Sequence, residues 1–152
     1  MMYQKALLFS DHTTGAKILA ASHPRQVKSL GRQVTPFDEQ VWQAQREEIV
    51  RRGTIYKFTR AVSEDGLRCG VNSEAPLVAP LTLKGLLMAT GEREIVETSP
   101  MDRIWGVGFG AVKAEANRHR WGKNLLGKVL MGVREEFRRK DEQGEDGEKE
   151  KE

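Results

Sequence analysis

The sequence predicts a predominantly α-helical chain with short β segments, folded as a single domain. Apolar residues recur at three- and four-residue spacings along most of the chain, and only one stretch, Arg93-Glu94-Ile95-Val96-Glu97-Thr98, has the β-branched content and length of a strand. The length of 152 residues with 38% hydrophobic residues fits one ordinary globular domain.

Taken in order, Met2 to Phe9 reads as a helix already running at the first residue, with no capping side chain ahead of it. Asp11, Thr13 and Thr14 are candidate caps for a second helix, whose apolar stripe of Ala16, Ile18, Leu19 and Ala20 stops at His23-Pro24. Pro24 suits the first turn of a third, short helix through Val27 and Leu30, ended by Gly31. Asp38 caps the longest helix, with Val41, Trp42, Gln45, Ile49 and Val50 at helical spacings, and Gly53 is expected to close it before a further apolar step at Ile55, Tyr56 and Phe58. Thr59 to Pro80 carries scattered Gly and Pro in polar sequence and reads as a long surface loop or insertion. Helix resumes at Leu81 and stops at Thr90-Gly91, followed by the candidate strand. Ser99 to Asn124 is rich in Gly and Trp, and a last helix runs from about Leu125 to Arg139 with Leu126, Val129, Leu130, Val133 and Phe137 on one face.

Charge divides the chain unevenly. Residues 140–152 hold 3 Lys against 7 acidic residues, a net of −4, which leaves +7 on residues 1–139. A basic domain of that kind prefers anionic partners such as phosphates, nucleotides or nucleic acid, whereas the tail has no aliphatic or aromatic residue to bury and is expected to be disordered. No apolar run approaches the ~18 residues of a membrane-crossing helix, so no membrane partner is expected. The single Cys69 excludes an internal disulfide and a multi-cysteine metal cage. With no secretory signal at the N-terminus, the expected location is cytoplasmic, the nucleus being the alternative.

Familiar motifs fail first. Gly106 to Ala111 matches a loose G-x-G-x-x-A pattern, but no complete strand precedes it and no acid follows about 20 residues later to take a ribose. His12, His23 and His119 lie too far apart for metal-ligand spacing, and neither a P-loop nor a G-x-S-x-G elbow occurs. No metal and no cofactor is expected. What remains is a dense region: Glu97 and Asp102 just after the candidate strand, Trp105-Gly106 and Trp121-Gly122, Gly108, and Asn124 before the last helix. Indole faces stack on planar rings, glycines admit a ligand close to the backbone, and a carboxylate stabilises an oxocarbenium-like sugar, so a pocket for a base and a sugar is one reading. The other is that the tryptophans anchor the core, Asp102 caps a turn and Asn124 caps the last helix. The residues alone leave both open.

Beyond these single features, Tyr3-Gln4-Lys5-Ala6, Leu30-Gly31-Arg32 followed by Trp42 and Arg46, Lys57-Phe58, the stretch Leu86 to Gly91, ETSPMDRIWGVGF (97–109) and WGKNLLGKVLMGVR (121–134) together resemble the NADAR superfamily, the YbiA-like N-glycosidases. The resemblance covers residues 2 to about 138. It implies a mainly helical fold with short strands and an enzyme that cleaves the N-glycosidic bond at the anomeric carbon of a ribose. The implied substrates are ribosylated pyrimidine intermediates of riboflavin synthesis or ADP-ribose attached to guanine. The implied partner is a phosphorylated ribosyl or ADP-ribosyl small molecule, with ADP-ribosylated nucleic acid as an alternative.

The resemblance further implies a catalytic part for Lys5, as an amine that engages the opened sugar as an imine. Such an amine is nucleophilic only once deprotonated, which a dry pocket or a neighbouring cation such as Arg46 favours. Asp102 and Glu97 match acids placed to orient ribose hydroxyls or stabilise positive charge. Tyr3, Gln4, Arg46, Trp105, Gly106, Gly108 and Asn124 are the implied substrate-binding residues, with Trp105 stacking on the base. Two departures qualify the match. Family members carry a further N-terminal segment with an FLSNF-like stretch, a strand pair and a Glu upstream of the Tyr-Gln motif, so residues 1–139 read as an N-terminally truncated member. The Thr59 to Pro80 stretch is longer than the family's turn and is a candidate specificity loop. A non-catalytic ADP-ribose or nucleic-acid binding module, or an inactive truncated member, is the alternative function.

Overall fold

Residues 1–60 and 82–149 are described by the computed structural model, 144–149 as helix backbone. Most of the expected loop before Pro80, the expected helix start at Leu81 and the last three residues of the tail lie outside the described residues. The chain divides into two units, Met1–Gly53 and Thr54–Glu152.

In the first unit, α1 (Met2–Leu8) starts at Met1 with no side-chain cap, as its sequence requires. α2 (His12–Ala20) is capped by Asp11, whose Oδ1 accepts from Thr14 N at 2.9 Å. The other carboxylate oxygen accepts from Thr35 N at 3.0 Å, so one buried acid both starts α2 and ties down a segment 24 residues away. Those two amides hold the Asp11 carboxyl below the usual carboxylate range. α3 (Pro24–Gly31) opens on Pro24, its cap supplied by His23 Nδ1 accepting from Arg25 N. The three helices enclose Ala6, Phe9, Ile18 and Val34, against which Met2, Tyr3, Leu8, Val27, Leu30 and Trp42 pack.

α4 (Glu39–Thr59) begins at Asp38, whose Oδ1 accepts from Gln40 N and Val41 N. Gly53 does not close it. An isolated glycine costs a helix only ~1 kcal/mol, and the Glu48–Arg51 ion pair and the Thr59 hydroxyl bonded to Ile55 O support the turns on either side.

In the second unit, α5 (Leu83–Met88) is capped by Thr82 Oγ1 on Gly85 N and turns away at Gly91, a left-handed position (φ 56°) that favours glycine. α6 (Ala111–Ala114) and a 3-10 turn (Glu115–Arg120) lie in the Gly- and Trp-rich stretch, and α7 (Leu125–Lys149) follows. α7 runs past Arg139 because Lys, Glu and Gln continue it with i,i+4 support, as in Lys140–Glu136 at 2.8 Å. Leu87, Val133 and Phe137 are its core, joined by Ile55, Phe58, Met88, Ile95, Val129 and Leu130.

The expectation of short β segments is not met: no strand occurs among the described residues. Residues 93–98 find their partners elsewhere. Arg134 Nη1 donates to Arg93 O (2.9 Å), Asn124 Nδ2 donates to Ile95 O (2.9 Å), and Glu97 N donates to Asn124 Oδ1 (3.0 Å). Among the described residues, two backbone bonds reach the segment, from Arg93 N to Thr90 O in the preceding turn and from Val107 N to Glu97 O. Where a second strand would stand there is α7, so close that a Cβ on Gly127 would fall 2.0 Å from Ile95 O. β-branched content marked a segment fit for pairing, but the side chains of Asn124, just before α7, and of Arg134, on α7, take up Arg93 O, Ile95 O and Glu97 N.

Among the described residues, no helix is long and apolar enough to cross a membrane, and no group of three or more His, Cys, Asp or Glu side chains is placed to hold a metal ion.

Candidate active site

The candidate residues fall into two sets, one in each unit. Tyr3, Gln4, Lys5 and Arg46 belong to the first. Tyr3 is half-buried in the helical core, its ring 3.5 Å from the position a Cβ on Gly15 would take, while Gln4 is exposed. Lys5, one turn into α1, is half-buried with its chain along the core. Its Nζ donates to Gly31 O at 2.8 Å and lies 4.1 Å from the Phe37 ring centroid and 5.6 Å from that of Trp42. Burial pulls the Lys5 pKa below the ordinary lysine value, and the charge of Glu39 opposes part of that shift. The amine thus has a fixed position, aromatic faces beside it and a larger neutral fraction than a surface lysine.

Arg46 sits one helical turn beyond Trp42, so both project from the same side of α4. It is only 6% exposed, and its Nε is fully buried without a hydrogen-bond partner. No ion pair of Arg46 occurs among the described residues.

Phe37 is the residue that sequence reasoning missed. Its ring meets Phe9 edge-on at 5.2 Å and remains 44% exposed beside Lys5. It stands outside any helical stripe, between Pro36 and the Asp38 cap. An aromatic in that polar turn was the available signal.

The second set is Glu97, Asp102, Trp105, Gly106, Gly108 and Asn124. Asp102 Oδ1 accepts from Ile104 N (2.9 Å) and Trp105 N (2.8 Å), holding the turn that presents a half-buried Trp105. Asn124, 4% exposed and left-handed (φ 49°), spends its side-chain amide on Glu97 N and Ile95 O instead of on the first turn of α7. The glycines let this chain approach itself: a Cβ on Gly106 would stand 2.7 Å from Glu97 O, and one on Gly108 2.7 Å from Arg103 Cγ. Trp121 donates from Nε1 to Ala114 O at 2.7 Å, with Arg118 stacked on its ring. The Glu97 side chain differs from its neighbours, forming no hydrogen bond or ion pair among the described residues.

A knot of these specific turns, with a caged lysine on the first helix, invites comparison with known chains. Residues 1–138 match the model of the NADAR domain. The chain belongs to the NADAR domain family. Within that family it is 40% identical over 138 residues to N-glycosidase R617 of Acanthamoeba polyphaga mimivirus, covering 90% of this chain and 70% of the relative. It is 26% identical over 135 residues to N-glycosidase YbiA of Escherichia coli (89% and 67%), and 30% identical over 135 residues to riboflavin biosynthesis protein VVA0006 of Vibrio vulnificus (89% and 29%). This NADAR chain therefore spans only part of each relative's length.

Proposed function

We propose that this NADAR chain cleaves the N-glycosidic bond of a phosphorylated ribosyl or ADP-ribosyl compound, with Lys5 as the nucleophile. The observation that supports it most is the Lys5 amine, fixed at 2.8 Å from Gly31 O between two aromatic rings with its pKa lowered by burial. Two of the relatives are named N-glycosidase and a third a riboflavin biosynthesis protein, which favours a ribosylated pyrimidine as the base-bearing substrate.

In this reading the neutral Nζ attacks the anomeric carbon and the carbon–nitrogen bond to the base breaks. The base leaves with the bonding pair and takes up a proton. The ribose ring then opens, its ring oxygen gaining the proton that Nζ loses, and an imine joins Lys5 to the sugar. Water adds to the imine carbon and expels the amine, returning Lys5 and the free sugar aldehyde. The exposed face of Phe37 lies where a planar base can stack beside the reacting carbon. Asp102 and Asn124 hold their own turns in the second unit.

Lys5→Ala tests the reading. Release of free base from an N-ribosylated pyrimidine phosphate, or from ADP-ribosylated guanine, is expected to fall by ~10³-fold or more, with unfolding changed little. Borohydride added during turnover should leave a reduced sugar on Lys5, read by mass spectrometry. Full activity in the alanine variant, or an unlabelled Lys5 under active turnover, removes the imine mechanism.

A further inference from the structure

We infer that Arg46 forms an anion subsite for a phosphate group, and that inorganic phosphate alone occupies it and competes with substrate. The inference rests on the Lys5 reading for the identity of the substrate, but its anion chemistry stands on separate observations. Arg46 is 6% exposed and its guanidinium has neither hydrogen bond nor ion pair among the described residues. A buried cation without a counter-charge is costly, because the interior solvates it poorly. A second cation, Lys5 Nζ, lies 5.6 Å from the ring of Trp42, the residue one turn before Arg46 on the same side of α4.

No acid pairs with Arg46 among the described residues. Glu39, one turn before Trp42 as Arg46 is one turn after it, attracts Lys5 and accepts from the neutral Gln43 Nε2 at 2.7 Å, directing its charge to Lys5 and not to Arg46. Glu48 is held by Arg51, and Asp38 by the first amides of α4. Two cations that each neighbour Trp42, Lys5 from α1 and the buried Arg46 one turn further along α4, suit a compact doubly charged oxyanion. The planar guanidinium grips two of its oxygens, while Lys5 Nζ, held by Gly31 O, adds positive charge beside them when protonated. A phosphate on the sugar would then anchor the substrate before the glycosidic bond is touched, and a phosphorylated sugar product would leave slowly.

The test uses the full chain and three probes: inorganic phosphate, ribose 5-phosphate and uncharged ribose, followed by calorimetry. Phosphate and ribose 5-phosphate are expected to bind and ribose not. Arg46→Met should weaken both anions by ~10-fold to 100-fold, and Arg46→Lys should recover part of the loss. Inorganic phosphate should raise KM for base release and leave kcat unchanged. Unaltered phosphate affinity in a cooperatively unfolding Arg46→Met variant overturns the subsite, as does a wild-type chain that binds no phosphate. If Arg46→Met fails to fold, phenylglyoxal modification of Arg46 in the wild type decides: phosphate should slow it, and an unchanged rate overturns the inference. Phosphate binding through Arg46 without any base release would sink the glycosidase reading and keep the subsite. Base release indifferent to phosphate would do the reverse.

Discussion

Among the described residues each unit of this NADAR chain buries one arginine, and the two are used in opposite ways. Arg134, 3% exposed on α7, donates from Nη1 to Thr90 Oγ1 at 2.7 Å and to Arg93 O at 2.9 Å; its Nε, like that of Arg46, has no hydrogen-bond partner but lies 3.6 Å from Glu135. Arg46, buried almost as deeply, has no such partner among the described residues. The same contrast separates their surroundings. In the second unit the polar groups of Asp102 and Asn124 are bonded to nearby backbone, and Gly106, Gly122 and Gly127 bring backbone against backbone. In the first, a caged lysine and an unpaired guanidinium keep binding capacity in hand. Polar groups already bonded within the fold hold it together, and those left over are the ones a ligand can engage.

The sharpest way to break this contrast is at Gly127. A Cβ there would lie 2.0 Å from Ile95 O, a backbone atom that cannot rotate away, so Gly127→Ala should cost about 3 kcal/mol or leave the second unit unfolded, as read by urea denaturation. A stable variant would show that the 93–98 segment has room to move. Asn124→Ala comes next. It strands Glu97 N and Ile95 O and places alanine at a positive φ, for an expected loss of roughly 2–3 kcal/mol in the same assay. A change well under 1 kcal/mol would mean that water replaces the side chain at that rung.

Arg46→Met should behave differently: removing an unpaired buried charge is expected to be neutral or to stabilise by roughly 1–2 kcal/mol, and to abolish the rise in unfolding temperature that phosphate gives the wild type. A strong destabilisation would place Arg46 with Arg134 as a structural residue. The smallest effect belongs to Asp11. Its folded-state pKa is depressed by the amides of Thr14 and Thr35, so its contribution is fully present above the unfolded-state value of about 3.9 and is lost as pH falls through the lower folded value. Asp11→Asn should be less stable than wild type at pH 7 and should flatten the acid limb of the stability profile. An acid limb as steep as wild type would assign the acid sensitivity to other carboxylates.

Legibility followed the range of the interactions. The caps at Asp11, Asp38 and Thr82 bond amides two or three residues away, so residue type and spacing suffice to find Asp11 and Asp38. The apolar face of α7 was equally plain, because Val129, Leu130, Val133 and Phe137 recur with the helix period. The end of α4 was misread at Gly53, where nothing crowds the missing side chain and the helix simply continues. The candidate residues were legible as types, and Lys5 through its motif, but their employment was not: Asn124 looks like an N-cap and is bonded 27 and 29 residues back along the chain instead.

By itself, then, the sequence determined where α1 to α4 and α7 start, the faces that α7 buries, the excess of positive charge and the family to which the chain is similar. All of these follow from neighbours within a few residues or from a pattern of residue types. Only the tertiary structure decided that 93–98 pairs with the side chains of Asn124 and Arg134 and not with a strand, that Phe37 stands beside Lys5, and that Arg134 Nη1 finds partners while no hydrogen bond or ion pair of Arg46 occurs among the described residues. Those outcomes depend on which distant group arrives first at a buried donor, acceptor or charge. A residue's type sets what it is able to bond, and the packing of the chain around it sets whether that capacity is used.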